Sequence, residues 1–242
     1  MPEILKRRSL RKGDVLRKIL NSTRKYYGAF SDEYVKLYDN WLTSEGAFSD
    51  PEYRIGYDHV AKILTGMVED GQLIVDIGCG VGVWTVHMAK SGANVIGLDH
   101  SIEALSKHRE KSKEEHVESN VFRIFGDGFN IPFRNDVFNG ATLNWVLSHI
   151  PVKENLKFTK EVGWILRENA WLMISDSYWR GQEGGKEQVQ IRRTINGTFE
   201  VYKYYYTPEE LKDLLEATFC EVDNLETTCY EMLCVARKFK IV

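Results

Sequence analysis

The chain has 242 residues, 43% of them hydrophobic, and a formal net charge of −3. A chain of this size buries the core of one ordinary domain without metals or disulfides, and its weak net charge argues against a general polyanion binder. Its four cysteines lack C-x-x-C or zinc spacing, so we expect reduced thiols and no metal site. No apolar run is long enough to cross a membrane and no secretory signal is present, which predicts a cytoplasmic protein.

Residues 1–70 show apolar positions at helical spacing and form a predicted helical segment ahead of the first strand. Residues 1–25 contain nine basic and two acidic residues, a net charge of +7, so this arm is either a solvated helix or a contact for nucleic acid or an anionic surface. Residues 71–242 form the predicted main domain, and the two parts together make one structural unit.

The chain is organised around Leu73–Ile77, an apolar run interrupted by Asp76 and followed by glycines at 78, 80 and 82. The run is typical of a strand buried in a parallel sheet, and Val83–Lys90 continues as a predicted helix. Glycines allow a ligand to approach the backbone closely, and the helix start offers free N–H groups. The turn therefore predicts a binding site for a polar ligand.

The spacing of these glycines excludes the dinucleotide fingerprint G-x-G-x-x-G, because Val occupies position 83. The pattern present is D-x-G-x-G-x-G, in which Asp76 would repel a pyrophosphate and attract an ammonium group. The next predicted strand, 93–98, ends in Asp99, at the spacing of an acid that binds a ribose. Ser101 is a predicted cap of the helix that follows.

These motifs resemble those of the class I S-adenosylmethionine (SAM) methyltransferases, closest to their UbiE-like small-molecule branch. The resemblance covers roughly residues 26–238 and implies SAM as cofactor, with S-adenosylhomocysteine (SAH) as product. It implies that Asp76 binds the ammonium, Asp99 the ribose and Asp127, after the third strand, the adenine amino group. The implied cofactor-binding residues are Asp76, Gly78, Cys79, Gly80, Gly82, Asp99, His100, Ile102, Gly126, Asp127, Gly128, Asn144 and Trp145.

The family comparison also places the residues after the fourth strand, 140–145, near the transferring methyl group. His149 is the only histidine there, and it either acts as a general base or only orders the loop. The chain departs from the family pattern at Asn139, usually Asp, and at 168–170, where a Pro-Gly-Gly turn is usual. We therefore expect a turn at 167–170 before a fifth strand at 171–176.

Residues 177–206 are a predicted insertion, in which strands 189–194 and 198–204 flank Asn196-Gly197, a strong hairpin signal. The hairpin either covers an acceptor pocket or extends the main sheet. The last two strands, 219–225 and 229–236, close the sheet in this family with one antiparallel member. The candidate acceptor-pocket residues are Tyr26, Tyr27, Tyr38, Tyr178, Trp179 and Arg193.

The predicted fold class is therefore α/β, a Rossmann-like doubly wound sheet of seven strands, with an N-terminal helical lid and an inserted hairpin. The resemblance implies methyl transfer from SAM to an O, N, S or C nucleophile of a small molecule, mainly by orientation. An RNA or protein methyltransferase and a non-catalytic SAM-binding partner are the alternatives. The absence of an N-P-P-Y-type tetrad after the fourth strand weighs against methylation of base amino groups.

Overall fold

The computed structural model describes residues 13–36, 51–218 and 220–239. Its centre is a seven-stranded sheet, and a separate two-stranded sheet lies beside it. The strands are β1 (Leu73–Ile77), β2 (Asn94–Asp99), β3 (Val121–Phe125), β4 (Phe138–Asn144), β5 (Leu166–Asp176), β6 (Glu187–Thr194), β7 (Gly197–Tyr204), β8 (Cys220–Thr227) and β9 (Met232–Lys238).

The large sheet has the order β3-β2-β1-β4-β5-β9-β8, in which β9 runs antiparallel to both of its neighbours and the other pairs are parallel. The predicted doubly wound sheet with one antiparallel strand is thus confirmed. The chain leaves β1 towards β2 on one side and later returns to β4 on the other. Ligands of such sheets bind at this switch point, outside the carboxyl ends of the strands.

The helices are α1 (Gly13–Ala29), α2 (Pro51–Met67), α3 (Val83–Lys90), α4 (Ile102–Glu114), α5 (Asn155–Ile165) and α6 (Pro208–Glu216), with a helical stretch at 31–36 and a 3₁₀ turn at Leu147–His149. The Ser101 side chain accepts from Ala104 N at the start of α4, as predicted. Thr207 and Glu210 form a capping box on α6. Among the described residues, no helix is long and apolar enough to cross a membrane.

Apolar side chains fill the space on both faces of the sheet, because its central strands are covered by helices on each side. One cluster includes Leu98, Leu143, Phe158 and Ile174, and the other includes Leu64, Ile74 and Met88. The central strands β1 and β4 are almost completely buried. This packing fixes the carboxyl ends of the strands, which carry the candidate functional side chains.

We expected a turn at 167–170 before the fifth strand. These residues instead belong to β5, where they form a bulge, so this expectation was wrong. Phe138 pairs with Leu166 and Gly140 with Trp171, so the four residues 167–170 of β5 lie opposite the single residue Asn139 of β4. Asn169 adopts a left-handed conformation with φ of 62°, and asparagine tolerates this conformation better than most residues. Asn139, the other departure, lies within β4, and its side-chain oxygen accepts from Leu73 N at 3.0 Å.

The insertion forms its own antiparallel hairpin of β6 and β7, so it does not extend the main sheet. Thr194 pairs with Gly197, which makes Ile195 and Asn196 the two turn residues. The expectation that Asn196-Gly197 forms the turn was therefore wrong by one residue. Helix α1 lies along β7, where the hydroxyls of Ser22 and Thr23 accept from the backbone N–H groups of residues 200 and 202.

Candidate functional site

A cavity of about 600 Å³ opens at the carboxyl ends of β1 to β4. Helix α1 and the stretch at 31–36 line one side of it, and the glycine turn after β1 lines another. Its volume is in the range of ligand pockets, and its place is the switch point of the sheet. This cavity is the candidate site, and the residues that line it decide which chemistry it supports.

Asp76 lies at the base of the cavity and is 1% exposed. Its two oxygens accept from the hydroxyl of Thr85 at 2.6 Å and from that of Thr142 at 2.8 Å. Burial raises the pKa of Asp76 to about 6, although the two hydroxyl groups oppose this shift. A bound cation would favour the ionised carboxylate. The site therefore has a buried acid suited to an ammonium group.

Asp99 is the last residue of β2, and its carboxylate links the glycine turn after β1 to the turn after β2. Its carboxylate accepts from Gly80 N at 2.9 Å and from Ser101 N at 2.8 Å. Each carboxylate oxygen retains a second lone pair, so Asp99 still has acceptor capacity for ligand hydroxyls. His100 lies beside it and also lines the cavity, and its Nε2 is buried without a partner among the described residues.

Asp127 follows β3 and is partly exposed. One of its oxygens accepts from Phe129 N at 3.0 Å, and the other accepts from Arg24 of α1 at 2.8 Å. These donors keep the pKa of the carboxyl low against the opposing effect of its partial burial. An adenine amino group bound at Asp127 would share the carboxylate with Arg24. Helix α1 is thus tied directly to the predicted adenine position.

The three glycines of the turn have positive φ values, but they differ in what surrounds them. A Cβ on Gly78 would lie 2.4 Å from Val146 Cγ2, and one on Gly82 would lie 2.1 Å from His108 Cδ2. A Cβ on Gly80 would meet no atom within 4 Å. Gly78 and Gly82 are therefore packed against protein, whereas Gly80 faces the open space that a ligand backbone contact requires.

The end of β4 contributes Asn144 and Trp145 to the cavity. Asn144 Oδ1 accepts from Ser175, while its buried Nδ2 has no partner among the described residues. Trp145 has a φ of 53°, and its ring stacks on Tyr57 with centroids 4.8 Å apart. Tyr57 in turn stacks on Trp84 at 5.5 Å. One wall of the cavity is therefore a layer of three aromatic rings.

His149 lies where the loop after β4 meets α1 and the hairpin. Its Nδ1 lies 2.7 Å from the carbonyl oxygen of Tyr202, which only an N–H can satisfy, so Nδ1 is the protonated nitrogen. Its Nε2 therefore accepts from the hydroxyl of Tyr27, at 2.5 Å. Burial, helped by the cations Lys203 and Arg192, holds the pKa of His149 well below its usual range. The imidazole is neutral, and its free lone pair is directed to Tyr27.

Two cations from the hairpin line the same end of the cavity. Lys203 is 3% exposed and bonds Asp176 at 3.1 Å and the hydroxyl of Ser148 at 2.7 Å. Arg192 is partly buried and bonds the side-chain oxygen of Gln190 at 2.8 Å. Burial lowers the pKa of Lys203, and the nearby Arg192 adds to this effect. This end of the cavity is therefore positively charged.

Most of the predicted cofactor-binding residues line the cavity, as do Tyr26, Tyr27 and His149. The exceptions are Ile102, which is 66% exposed, and Gly82, which is packed against His108, since neither residue is in the lining. Tyr178 bonds the carbonyl oxygen of Thr228, and Trp179 pairs through its backbone with Tyr206. Neither these two residues nor the exposed Arg193 line the cavity. Tyr38 lies outside the described residues.

The sequence interpretation missed several lining residues, of which Arg192 and Arg24 are the most informative. Strand alternation places Arg192 and Arg193 on opposite faces of β6, and only the hairpin's register and docking decide which face meets the cavity. Arg24 belongs to the basic arm, for which neither sequence interpretation included a place in the cavity. The other missed lining residues include Tyr34, Tyr57, Trp84 and Ser177.

Residues 74–169 match the family model described as "Methyltransferase domain". This match begins in β1 and ends in β5, so it contains the glycine turn and the acids at 76, 99 and 127. Over residues 74–169 the chain therefore has the sequence of a methyltransferase domain. Helix α1 and the β6–β7 hairpin lie outside the matched range, although both line the cavity of the methyltransferase domain.

Curated relatives carry methyltransferase names. The chain is 32% identical over 105 residues to the demethylmenaquinone methyltransferase of Corynebacterium kroppenstedtii, a match that covers 38% of this chain and 42% of the relative. It is 21% identical over 213 residues to an uncharacterized methyltransferase of Oceanobacillus iheyensis, covering 79% and 95%. The chain spans less than half of the length of the first two demethylmenaquinone methyltransferases that it matches.

Solved structures share the fold at low identity. The structure titled "DhpI-SAH complex structure" has a TM-score of 0.69 and 20% identity, covering 92% of this chain and 98% of that one. The PH0226 protein of Pyrococcus horikoshii OT3 has a TM-score of 0.66 and 18% identity, covering 85% and 98%. At these identities the likeness establishes the fold of the methyltransferase domain and nothing about its acceptor.

The residues of the cavity fit SAM as a ligand. Gly80 leaves a cradle that a Cβ would fill, and acids lie at or next to the carboxyl ends of the three adjoining strands, where the ammonium, ribose and adenine are expected. Two buried polar atoms of the lining residues have no hydrogen-bond partner among the described residues, namely Asn144 Nδ2 and His100 Nε2. A buried polar atom without a partner is unusual unless a ligand or water completes it.

Proposed function

We propose that the protein transfers the methyl group of SAM to a nucleophilic atom of a small-molecule acceptor. The observation that carries this proposal is the convergence of Asp76, Asp99 and Asp127 on one cavity around the open backbone of Gly80. In this proposal Asp76 binds the ammonium group, Asp99 the ribose hydroxyls and Asp127 the adenine amino group. When bound, SAM supplies an electrophilic methyl group on a sulfonium that is already a good leaving group.

The task of the protein is then to orient the acceptor and exclude water. The aromatic wall of Tyr57, Trp84 and Trp145 and the helix α1 enclose the cavity for this purpose. His149 presents Nε2 as a proton acceptor once Tyr27 moves aside, but its lowered pKa makes it a weak base. We therefore assign most of the rate to positioning and only assistance to His149.

The acceptor is selected by parts of the chain outside the matched domain, since α1 and the hairpin lie outside residues 74–169. The relatives named demethylmenaquinone methyltransferase support a small-molecule acceptor in a general way.

Calorimetric titration of the purified protein with SAM and with SAH tests the proposal. We expect both to bind with dissociation constants on the order of micromolar, or about −8 kcal/mol. Binding of SAH but not of adenosine at the same concentration would support the role assigned to Asp76. No binding of either SAM or SAH would overturn the proposal.

A further inference from the structure

The part of the cavity that the hairpin lines holds a guanidinium without an acidic partner, that of Arg192. Arg192 bonds the side-chain oxygen of Gln190 through Nε at 3.2 Å and through Nη2 at 2.8 Å, and its Nη1 donates to Tyr27 at 3.2 Å. In the described part of the chain, no carboxylate oxygen lies within ion-pair distance of Arg192. All of its bonding partners are neutral.

The surroundings of Arg192 leave a positive charge uncompensated. Its guanidinium lies over the ring of Tyr26, 5.3 Å from the centroid, which covers one face but adds no anion. The neighbouring Lys203 is matched by a single carboxylate, Asp176, at 3.1 Å. His149 is neutral, so Arg192, Lys203 and Asp176 together carry one net positive charge. A partly buried cation without an anion is costly unless a ligand supplies one.

Arg192 also retains donors for a ligand. A guanidinium has five N–H groups, and the three bonds described use one N–H each on Nε, Nη1 and Nη2. The terminal nitrogens therefore retain N–H capacity for an anionic oxygen. Arg192 lines the cavity together with the aromatic residues Tyr26 and Phe30.

We propose that the acceptor carries an anionic oxygen group, a carboxylate, a phosphonate or an ionised hydroxyl, which Arg192 binds beside an apolar or aromatic body held against Tyr26 and Phe30. This inference rests on the proposed function, because it assigns the acceptor end of the same cavity. Lys203 strengthens the local positive potential, whereas Asp176 is already engaged by Lys203 and by Ser148 N at 2.9 Å.

The same arrangement explains why His149 is a weak base in the ligand-free site. Both Arg192 and Lys203 lower the pKa of His149 after burial itself. An anion at Arg192 would offset that repulsion and raise the pKa of the imidazole. Acceptor binding would therefore prepare His149 to take a proton, and an acceptor that binds already ionised needs no base at all.

Binding of flat aromatic probes to SAH-saturated protein tests the inference. Benzoate, phenylphosphonate and 4-nitrophenolate each represent one source of the anionic oxygen, and benzamide is the neutral control of similar shape. We expect at least one anion to bind about tenfold or more tighter than benzamide, the effect of one charge-assisted hydrogen bond. The anion that shows the preference identifies the source.

Variants of β6 assign the preference to a residue. Arg192→Gln should remove the preference for the anion, Arg192→Lys should retain part of it, and Arg193→Gln, next along the strand but outside the cavity, should leave it unchanged. Equal binding of benzamide and all three anions to the unmodified protein would overturn the inference, and so would a preference that survives Arg192→Gln. The comparison of the anions with benzamide on the unmodified protein does not depend on whether any variant folds.

The outcome is separable from that of the proposed function. SAH is titrated first into the unmodified protein and each variant. Failure of the unmodified protein to bind SAH overturns the proposed function, whereas normal SAH binding without any anion preference overturns only the assignment of Arg192. We expect Arg192→Gln to retain the SAH affinity, since Arg192 lies on the hairpin and not at the glycine turn.

Discussion

Tyr27 donates its hydroxyl to Nε2 of His149 across 2.5 Å and so connects α1 with the loop after β4. The hydroxyl of Tyr27 also accepts from Arg192 of the hairpin at 3.2 Å. Three segments far apart in the chain thus meet at one hydroxyl group. This contact makes the acceptor end of the cavity depend on the docking of α1 and the hairpin onto the methyltransferase domain.

The protonation of His149 is the first prediction. We expect its imidazole to stay neutral, with the proton on Nδ1, even below its usual pKa of about 6.5, because burial and two cations oppose a second proton. Nitrogen-15 NMR of the histidine ring measures both the tautomer and the pKa. A titration midpoint near the usual value would contradict the buried, hydrogen-bonded geometry.

The catalytic contribution of His149 is tested by His149→Ala. We expect the rate of methyl transfer to fall by about 10²-fold if Nε2 accepts a proton, a common size for general-base assistance. The affinity for SAM should stay unchanged, because the bonds of His149 are to Tyr27 and Tyr202. An unchanged rate with His149→Ala would restrict the residue to ordering the loop.

The ionisation of Asp76 should make SAM binding depend on pH. A pKa of about 6 means that the carboxyl is mostly protonated at pH 5 and mostly ionised at pH 7. An ammonium group prefers the ionised form, so affinity should rise with pH through this range, with proton release on binding at pH 5. Titrations in buffers of different ionisation enthalpy measure the released proton.

Asp76→Asn is the matched control for that pH dependence. The amide keeps the size of the side chain and an acceptor for Thr85 or Thr142, but it cannot titrate. The variant should bind SAM more weakly at pH 7 and show a nearly flat affinity between pH 5 and 7. The same pH dependence in Asp76→Asn would show that another group causes it.

Asp99→Ala should abolish measurable SAM binding. The substitution removes the acceptor for ribose hydroxyls and also releases Gly80 N and Ser101 N, so the turn loses its anchor together with the ligand contact. Asp213→Ala, at an exposed position of α6, should bind SAM normally. Unchanged SAM affinity in Asp99→Ala would remove the basis of the cofactor assignment. Thermal unfolding of both variants separates loss of binding from loss of folding.

Two glycines of the turn should respond differently to alanine. Gly82→Ala combines a left-handed φ with a clash against the buried His108, so we expect a loss of about 3 kcal/mol in the free energy of unfolding. Gly80→Ala has the strain but no clash, so its loss should be about 1 kcal/mol.

Binding then distinguishes the two glycine variants further. Because the Cβ of Gly80→Ala would project into open cavity space, SAM affinity should fall well beyond the small loss of stability. Urea unfolding and calorimetry together measure the two effects. Normal SAM affinity in Gly80→Ala would mean that the ligand does not approach the backbone at this residue.

Local patterns in the sequence were sufficient for the methyltransferase domain. The apolar run 73–77, the alternate glycines and the acids near the ends of the next two strands indicated a family resemblance, and the doubly wound sheet that it implies is present. The family model matches the same part of the chain. This works because the strand, the turn and the helix start are neighbours in the chain, so their relative positions are set by local backbone geometry.

The acceptor end required the tertiary structure. Arg192 and Arg193 are adjacent in sequence and chemically identical, and only the pairing of Thr194 with Gly197 and the docking of α1 along β7 bring Arg192 to the cavity. A shift of one residue in a hairpin exchanges its two faces, and no local pattern determines that register here. Residue types and spacing determined which residues we propose for SAM, whereas long-range packing decided which charged groups of the hairpin line the cavity.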